Sequence, residues 1–270
     1  MALYHLVLIA LIQGITEFLP ISSSGHLILL PGLTGMPDQG NVIDVAAHVG
    51  TLGAVVAYFW ADVKIAIVGL GCLAKRKVDT QGAWLALCLI IATVPVILLG
   101  LAFKLSGLDD SLRSITVIGW TMLIFGVLLY YVDQRATQTK DMGKLCLKDS
   151  VILGLWQAIA LIPGTSRSGI VITGALQMGF TRAEAARVAM LMSIPTIIAS
   201  GTLSSLDLIG GVVPLRDASI VAGLSFIAAI GALTLMMRLL NSISYTPYVI
   251  YRVVFGVILI GIGYTGALGF

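Results

Sequence analysis

Charge is the scarcest commodity in this chain of 270 residues: 11% are Asp, Glu, Lys or Arg, whereas 58% are hydrophobic. Soluble domains average about 25% charged and roughly 45–50% apolar, so a soluble fold of this length would lack the polar surface to cover itself. Disorder, collagen-like repeats and a disulfide scaffold are excluded by the same composition. Three cysteines, Cys72, Cys88 and Cys146, have no paired or CxxC spacing and read as apolar filler rather than disulfide or metal ligands. The net charge of +3 is small and scattered, which argues against nucleic acid as a partner. No basic n-region precedes the apolar N-terminus, so an uncleaved start is expected rather than a signal peptide. There is no P-loop, dinucleotide fingerprint or metalloprotease helix signature.

What is present is a series of long apolar segments. A span needs about 20 apolar residues, and six segments qualify: 44–60, 83–103, 114–132, 184–206, 218–240 and 248–267. The expected fold class is therefore an all-α polytopic membrane protein, forming one membrane domain. Tyr58, Phe59 and Trp60 suit an interfacial belt, and the stretch that follows, with Asp62 and Lys64, is expected at the surface. Two regions do not fit as ordinary spans. Residues 1–33 hold two short apolar runs broken by Glu17, Pro20 and the string Ser22-Ser23-Ser24-Gly25-His26. Residues 150–180 hold two more, broken by Pro163-Gly164 and Thr165-Ser166-Arg167-Ser168-Gly169. Each half is too short to cross, so both are expected to be re-entrant helix–loop–helix hairpins, which membranes tolerate only inside protein or beside a hydrated cavity.

The hairpins resemble each other. An offset of 144 residues sets Gln13 over Gln157, Ile15 over Ile159, Ser22 over Ser166, Ser24 over Ser168 and Gly25 over Gly169, with Ser23 opposite Arg167. Three spans follow each hairpin, giving repeat one at 1–132, a cytoplasmic loop at 133–149 and repeat two at 150–270. Interrupted segments at matching places in two halves point to a binding site. Lys64, Lys75, Arg76 and Lys77 in one loop, and Arg135, Lys140, Lys144 and Lys148 in another, outnumber Lys104, Arg113 and Arg216 on the opposite side. The first two loops are therefore expected in the cytoplasm. The first hairpin then enters from outside and the second from the cytoplasm, the repeats are inverted, and both chain ends lie outside.

Intramembrane ionisable groups cost about 2.5–3.5 kcal/mol even on a lenient scale, which singles out Glu17 and Arg167. Each loop presents hydroxyl residues at a helix start, where free N–H groups and the helix dipole attract anions. Arg167 adds a planar donor fork suited to phosphate oxygens. The combination reads as a phosphate or diphosphate cradle. Ser22, Ser24, Gly25, Thr165, Ser166, Ser168 and Gly169 would contact the substrate. Glu17 makes sense there if a divalent cation bridges carboxylate and diphosphate, magnesium or calcium suiting hard oxygen ligands; Glu17 could also orient His26. His26 is the natural proton-transfer group, and Ser23 the candidate nucleophile or phosphate contact. Taken singly, a Ser/Gly/Pro cluster is ordinary turn chemistry, a Glu–Arg pair can be structural, and a lone His is more often structural than catalytic. Together on paired broken helices they are hard to dismiss. Asp44 and His48, one turn apart, could line the pocket mouth or form a solvated cap. Gln13 and Gln157 would satisfy broken backbone, and Gln13 could also face the site. Arg182, Glu184 and Arg187 look like interfacial anchors, Pro195 like a kink, and the glycines near 256–269 like close helix contacts.

The string Gln13-Gly14-Ile15-Thr16-Glu17-Phe18-Leu19-Pro20-Ile21-Ser22-Ser23-Ser24-Gly25-His26 resembles the first signature of the undecaprenyl-diphosphate phosphatases of the bacitracin-resistance type, and Pro163–Gly169 resembles their second. Size, hairpin placement and the segment Asp44–Gly50 extend the resemblance over essentially the whole chain. It implies a bacterial inner-membrane enzyme, with its site facing the outer side and needing a divalent cation, Mg2+ or Ca2+. The enzyme would convert undecaprenyl diphosphate to the monophosphate carrier lipid of cell-wall synthesis and confer bacitracin resistance. It also implies Glu17 as metal or acid/base residue, Ser23 as the loop serine, His26 as the histidine and Arg167 as the phosphate-binding arginine. Many members carry a second glutamate where this chain has Gln13, which can ligate through its carbonyl but carries no charge. Attack by Ser23 activated by His26, by His26 itself, or by water with His26 or Glu17 as base are all open. A polyprenyl-phosphate transporter or flippase of the same fold is the rival reading, and a non-catalytic lipid-binding subunit the next. The oligomeric state is not given by the sequence, a homodimer being compatible with it.

Overall fold

The computed structural model of the chain describes residues 1–35, 38–107, 112, 114–206 and 214–265. Eleven α-helices follow one another among these residues: α1 (Leu3–Thr16), α2 (Ser23–Thr34), α3 (Gly40–Tyr58), α4 (Trp60–Ala74), α5 (Gln81–Ser106), α6 (Ile115–Arg135), α7 (Leu147–Ile159), α8 (Arg167–Gln177), α9 (Arg182–Leu206), α10 (Leu215–Leu239) and α11 (Thr246–Thr265). The one strand-type pairing among the described residues is an isolated bridge between Lys140 and Phe180.

Six of these helices, α3, α5, α6, α9, α10 and α11, are long and apolar enough to cross a bilayer. Their lengths of 19 to 26 residues match the roughly 30 Å of hydrocarbon at 1.5 Å per residue. Between 22% and 39% of each spanning window is buried inside the protein. The remaining faces present large apolar side chains such as Leu98, Ile124, Ile227 and Val257. Such surfaces suit lipid and would be a liability in water. α4 is shorter and mostly exposed, folding back beside the first turns of α5. α5 illustrates how the ends are set. The Thr80 side chain accepts from the Ala83 amide at the start, and Gly107 closes the helix in the left-handed region with φ 69°. Arg113 and residues 207–213, which bear on the loop-charge argument, lie outside the described residues, as do Gly266 and Gly269.

Both interrupted segments are helix–break–helix pairs, α1 with α2 and α7 with α8. The second pair sits at the centre of the protein. Residues Ser168 to Leu176 of α8 are all buried, packed into a core that includes Phe18, Leu153 and Met190 to Met192. The break's polar backbone is thus enclosed by protein, the condition under which irregular chain is tolerated at membrane depth.

The first helix of each interrupted pair packs on the other half of the chain. α1 of the first half packs on α10, the second spanning helix of the other half, and α7 packs on α5, the second spanning helix of the first. Glycines permit the approach. A Cβ on Gly14 would sit 2.6 Å from the Cβ of Ala228, and one on Gly154 would sit 2.6 Å from the Ala92 carbonyl oxygen.

Arg182, Glu184 and Arg187, expected as interfacial anchors, are engaged by other elements. Arg182 donates from Nε and Nη2 to the buried Asp133 at 2.6 and 3.2 Å. Arg187 donates to both oxygens of Asp62 on α4, and Glu184 accepts from the Met142 amide at 3.2 Å. The carboxylates placed at the ends of α6 and the start of α4 hold α9 in place.

Candidate active site

The breaks begin where α1 and α7 run out, and each restarts through a serine with a left-handed backbone: Ser22 has φ 70° and Ser166 has φ 69°. A side chain in that region costs of order 1–3 kcal/mol. Local bonds offset the strain in matching ways. The Ser22 and Ser24 hydroxyls are 3.3 Å apart, and the Ser166 and Ser168 hydroxyls 3.2 Å apart. Ser166 Oγ also accepts from the Gly169 amide at 3.2 Å, capping α8. The offset of 144 residues therefore reproduces backbone and side-chain geometry, not only residue type.

Glu17 is the hub. Its residue is 7% exposed. Oε1 accepts from Arg167 Nη2, and Oε2 accepts from Ser23 Oγ at 2.7 Å and from Gln13 Nε2 at 2.9 Å. His48 Nε2 lies 3.8 Å from the same Oε2. Ser168 Oγ donates to the Leu19 carbonyl at 3.0 Å, a second tie between the hairpins. Around Glu17 opens a cavity of about 210 Å³, lined on its polar side by Glu17, Ser22, Ser23, Ser24, His48, Gln157, Ser166 and Arg167. Val96, Ala160, Leu161, Thr196, Ile197 and Ser200 form the rest of the wall. Arg167 Nη1 is buried with no protein partner, a donor left for a ligand.

Of the residues expected at the site, Glu17, Ser22, Ser23, Ser24, Ser166 and Arg167 line one cavity. Gly25, Thr165, Ser168 and Gly169 are not among its lining residues. Gly25 packs toward Ile118 of α6, and Gly169 toward Arg252. Thr165 is buried with its hydroxyl unpartnered, and Ser168 braces the first loop. His26 is also placed elsewhere. Its Nδ1 donates to the Ser22 carbonyl at 2.7 Å, and its Nε2 is 2.5 Å from the Tyr251 hydroxyl. Its ring is stacked with Tyr251 and Phe255 of α11, at centroid distances of 5.6 and 4.9 Å. The imidazole leans back over the first turn of α2 toward α11, so its nitrogens face the loop backbone and α11 rather than Glu17.

Two residues count for more than the sequence reading gave them. His48 reaches the carboxylate hub itself. Arg252, in α11, is fully buried and donates to the carbonyls of Met122 (3.2 Å), Pro20 (3.4 Å), Gly164 (3.2 Å) and Thr165 (2.8 Å). It gathers both broken loops onto one guanidinium with no carboxylate among those partners. An arginine in the body of an apolar span was the signal that could have found it.

Chemically, the cavity offers a hydroxyl already hydrogen-bonded to a carboxylate, a guanidinium with a free donor, and two helix starts. That set suits transfer of a phosphoryl group, in which positioning and charge stabilisation do most of the work.

Comparison with known proteins places this geometry in context. The family model described as bacitracin resistance protein BacA matches residues 6–258. The chain is 62% identical over 266 residues to a protein of a Jannaschia species named undecaprenyl-diphosphatase, covering 98% of this chain and all of that one. Proteins of the same name from Dinoroseobacter shibae and Ruegeria pomeroyi are 61% and 60% identical over 267 residues, again over 98% of this chain and their entire length.

Proposed function

The chain belongs to the bacitracin resistance protein BacA family, and on that footing we propose that it removes the terminal phosphate of undecaprenyl diphosphate, releasing undecaprenyl monophosphate and inorganic phosphate. It is a multi-pass bacterial membrane enzyme that returns the carrier lipid to cell-wall synthesis, and this activity underlies bacitracin resistance. The cavity faces the outer side of the membrane, and the prenyl chain lies among apolar helices.

The observation that carries the mechanism is the 2.7 Å hydrogen bond from Ser23 Oγ to Glu17 Oε2. Glu17 takes the Ser23 proton as Oγ attacks the terminal phosphorus. The bond from that phosphorus to the bridging oxygen breaks, and the oxygen leaves with the prenyl monophosphate. Glu17 gives up its proton to the cavity water and then takes one from the water that attacks the phosphoserine, passing it to Ser23 Oγ as the bond from phosphorus to Oγ breaks, so that inorganic phosphate departs with Ser23 restored. Arg167 holds the non-bridging oxygens through its free Nη1, and the Ser22, Ser24 and Ser166 hydroxyls position them. His26 steadies the loop through the Ser22 carbonyl; its placement favours Ser23 over His26 as the attacking group.

A divalent cation, Mg2+ or Ca2+, is part of this reading, and the donor set fits one. Glu17 supplies a carboxylate, and the neighbouring Gln13 has a buried amide oxygen with no partner. Such an ion, when bound, offsets the negative charge of the diphosphate.

The test is phosphate release from undecaprenyl diphosphate by the purified chain in detergent, with Ser23→Ala beside it. Release by the wild type, and loss of roughly 10³-fold or more in Ser23→Ala, are expected. A wild type that moves polyprenyl phosphate between leaflets but releases no phosphate would make the chain a carrier, a reading that its interrupted helices also suit.

A further inference from the structure

His48 combines three properties that the reaction just described does not use. It lines the cavity. Its Nδ1 faces the Asp44 carbonyl at 2.8 Å. A carbonyl only accepts, so Nδ1 carries the proton and Nε2 presents a lone pair in the neutral ring. That Nε2 lies 3.8 Å from Glu17 Oε2. A metal-binding imidazole is prepared in the same way, with one nitrogen committed to a carbonyl and the other turned to the ion. Bonds of roughly 2.0–2.2 Å to nitrogen and oxygen can span the gap between the two side chains.

Gln13 supplies the independent observation. Its side chain is fully buried, Nε2 is 2.9 Å from the same Glu17 Oε2, and Oε1 has no partner. A half-turn of the amide would bring Oε1 to the position of Nε2. Two oxygens tolerate that spacing when a cation lies between them. The amide can therefore serve both states, donating to Glu17 when no ion is present and accepting beside it when one is.

We propose that His48 is a nitrogen ligand of the cation held at Glu17, with Gln13 turning its carbonyl toward the same ion. The inference rests on the divalent-cation reading above and sharpens it. One carboxylate, one imidazole and one amide oxygen make a softer site than a pair of carboxylates. First-row transition-metal ions such as cobalt and zinc should outcompete magnesium and calcium for it.

The experiment uses the full chain in detergent, loaded with Mn2+ in the presence of a farnesyl methylenediphosphonate, whose carbon bridge resists hydrolysis. Electron spin-echo modulation reports whether nitrogen is bonded to the manganese. The chain has three histidines, and incorporation of 15N-histidine identifies the coupled nitrogen as imidazole without any substitution. The wild type should show a directly coupled histidine nitrogen, His26→Gln should retain it, and His48→Gln should lose it. Co2+ and Zn2+ should displace Mn2+ at lower concentrations than Mg2+ or Ca2+, and His48→Gln should shrink that advantage at least about tenfold. A wild-type signal without histidine nitrogen overturns the proposal, as does coupling that persists in His48→Gln. Phosphate release from farnesyl diphosphate by the same preparation separates the two readings. Release without nitrogen coupling removes the ligand role alone, whereas no release removes the phosphatase reading itself.

Discussion

Glu17 and Arg167 stand 150 residues apart in the chain and form a partly buried ion pair that joins the two breaks. The first residue comes from the break after α1 and the second from the first turn of α8. The pair therefore exists only when both interrupted segments have found their places.

Removing one member of this pair leaves a partly buried charge without its partner, at a cost of up to about 3–5 kcal/mol. Arg167→Ala also loses the buried, unpartnered Nη1 donor at the cavity. We expect Arg167→Ala and Glu17→Ala each to lower the turnover number by roughly 10²–10³ or more while the protein still inserts. The double variant should be much less than multiplicatively worse, because the two residues act as a unit. Phosphate release measured on the purified variants checks both points, and near wild-type rates in both single variants would reject the site.

Arg252 is predicted to be the more damaging position for stability. Arg252→Leu keeps the volume apolar but strands the loop carbonyls of Pro20, Gly164 and Thr165, at about 1–3 kcal/mol for each group left unsatisfied. Arg252→Lys retains the charge but not the planar fork that reaches several carbonyls at once, so it should fall between wild type and Arg252→Leu. Thermal unfolding in detergent gives the order, which fails if Arg252→Leu is as stable as the wild type.

Ser22 and Ser166 should respond unequally to glycine and alanine. Both sit at a positive φ that glycine adopts without penalty. Each alanine variant loses the hydroxyl and keeps the strain, so glycine should be the milder change at both sites, by about 1 kcal/mol. At 166 the lost cap to the Gly169 amide adds to the cost of either change. Paired melting curves of the four variants are the measurement.

Much of this was written in the sequence, because apolar length and turn residues are local properties. The six spans follow from runs of apolar side chains. Their ends shifted by a few residues, as at α3, where Gly40 and Asn41 continue the helix beyond its apolar part. The breaks were legible from Pro20, Pro163 and the serine strings, and even their strain is repeated at the 144-residue offset. What local pattern does not carry is which way a side chain turns. His26 lies beside Ser23 in sequence, yet it folds back on the Ser22 carbonyl and joins the aromatic rings of α11, partners 225 residues away. His48 could be read as lining the pocket mouth or as a solvated cap, and the packing of α3 near the first break decides for the cavity, where it reaches Glu17. Arg252 was hidden for the same reason: its acceptors are backbone carbonyls from three distant segments, and these leave no mark in the residue types.

The packing of α1 and α7 on opposite halves has a bearing on biogenesis. The segment carrying the carboxylate leaves the ribosome well before its seat on α10, whose residues are synthesised about two hundred positions later. A nascent chain halted after the sixth helix would hold the acid without its arginine and without the surface on which its own helix rests. The cavity is thus assembled only once α8 and α10 have both been made.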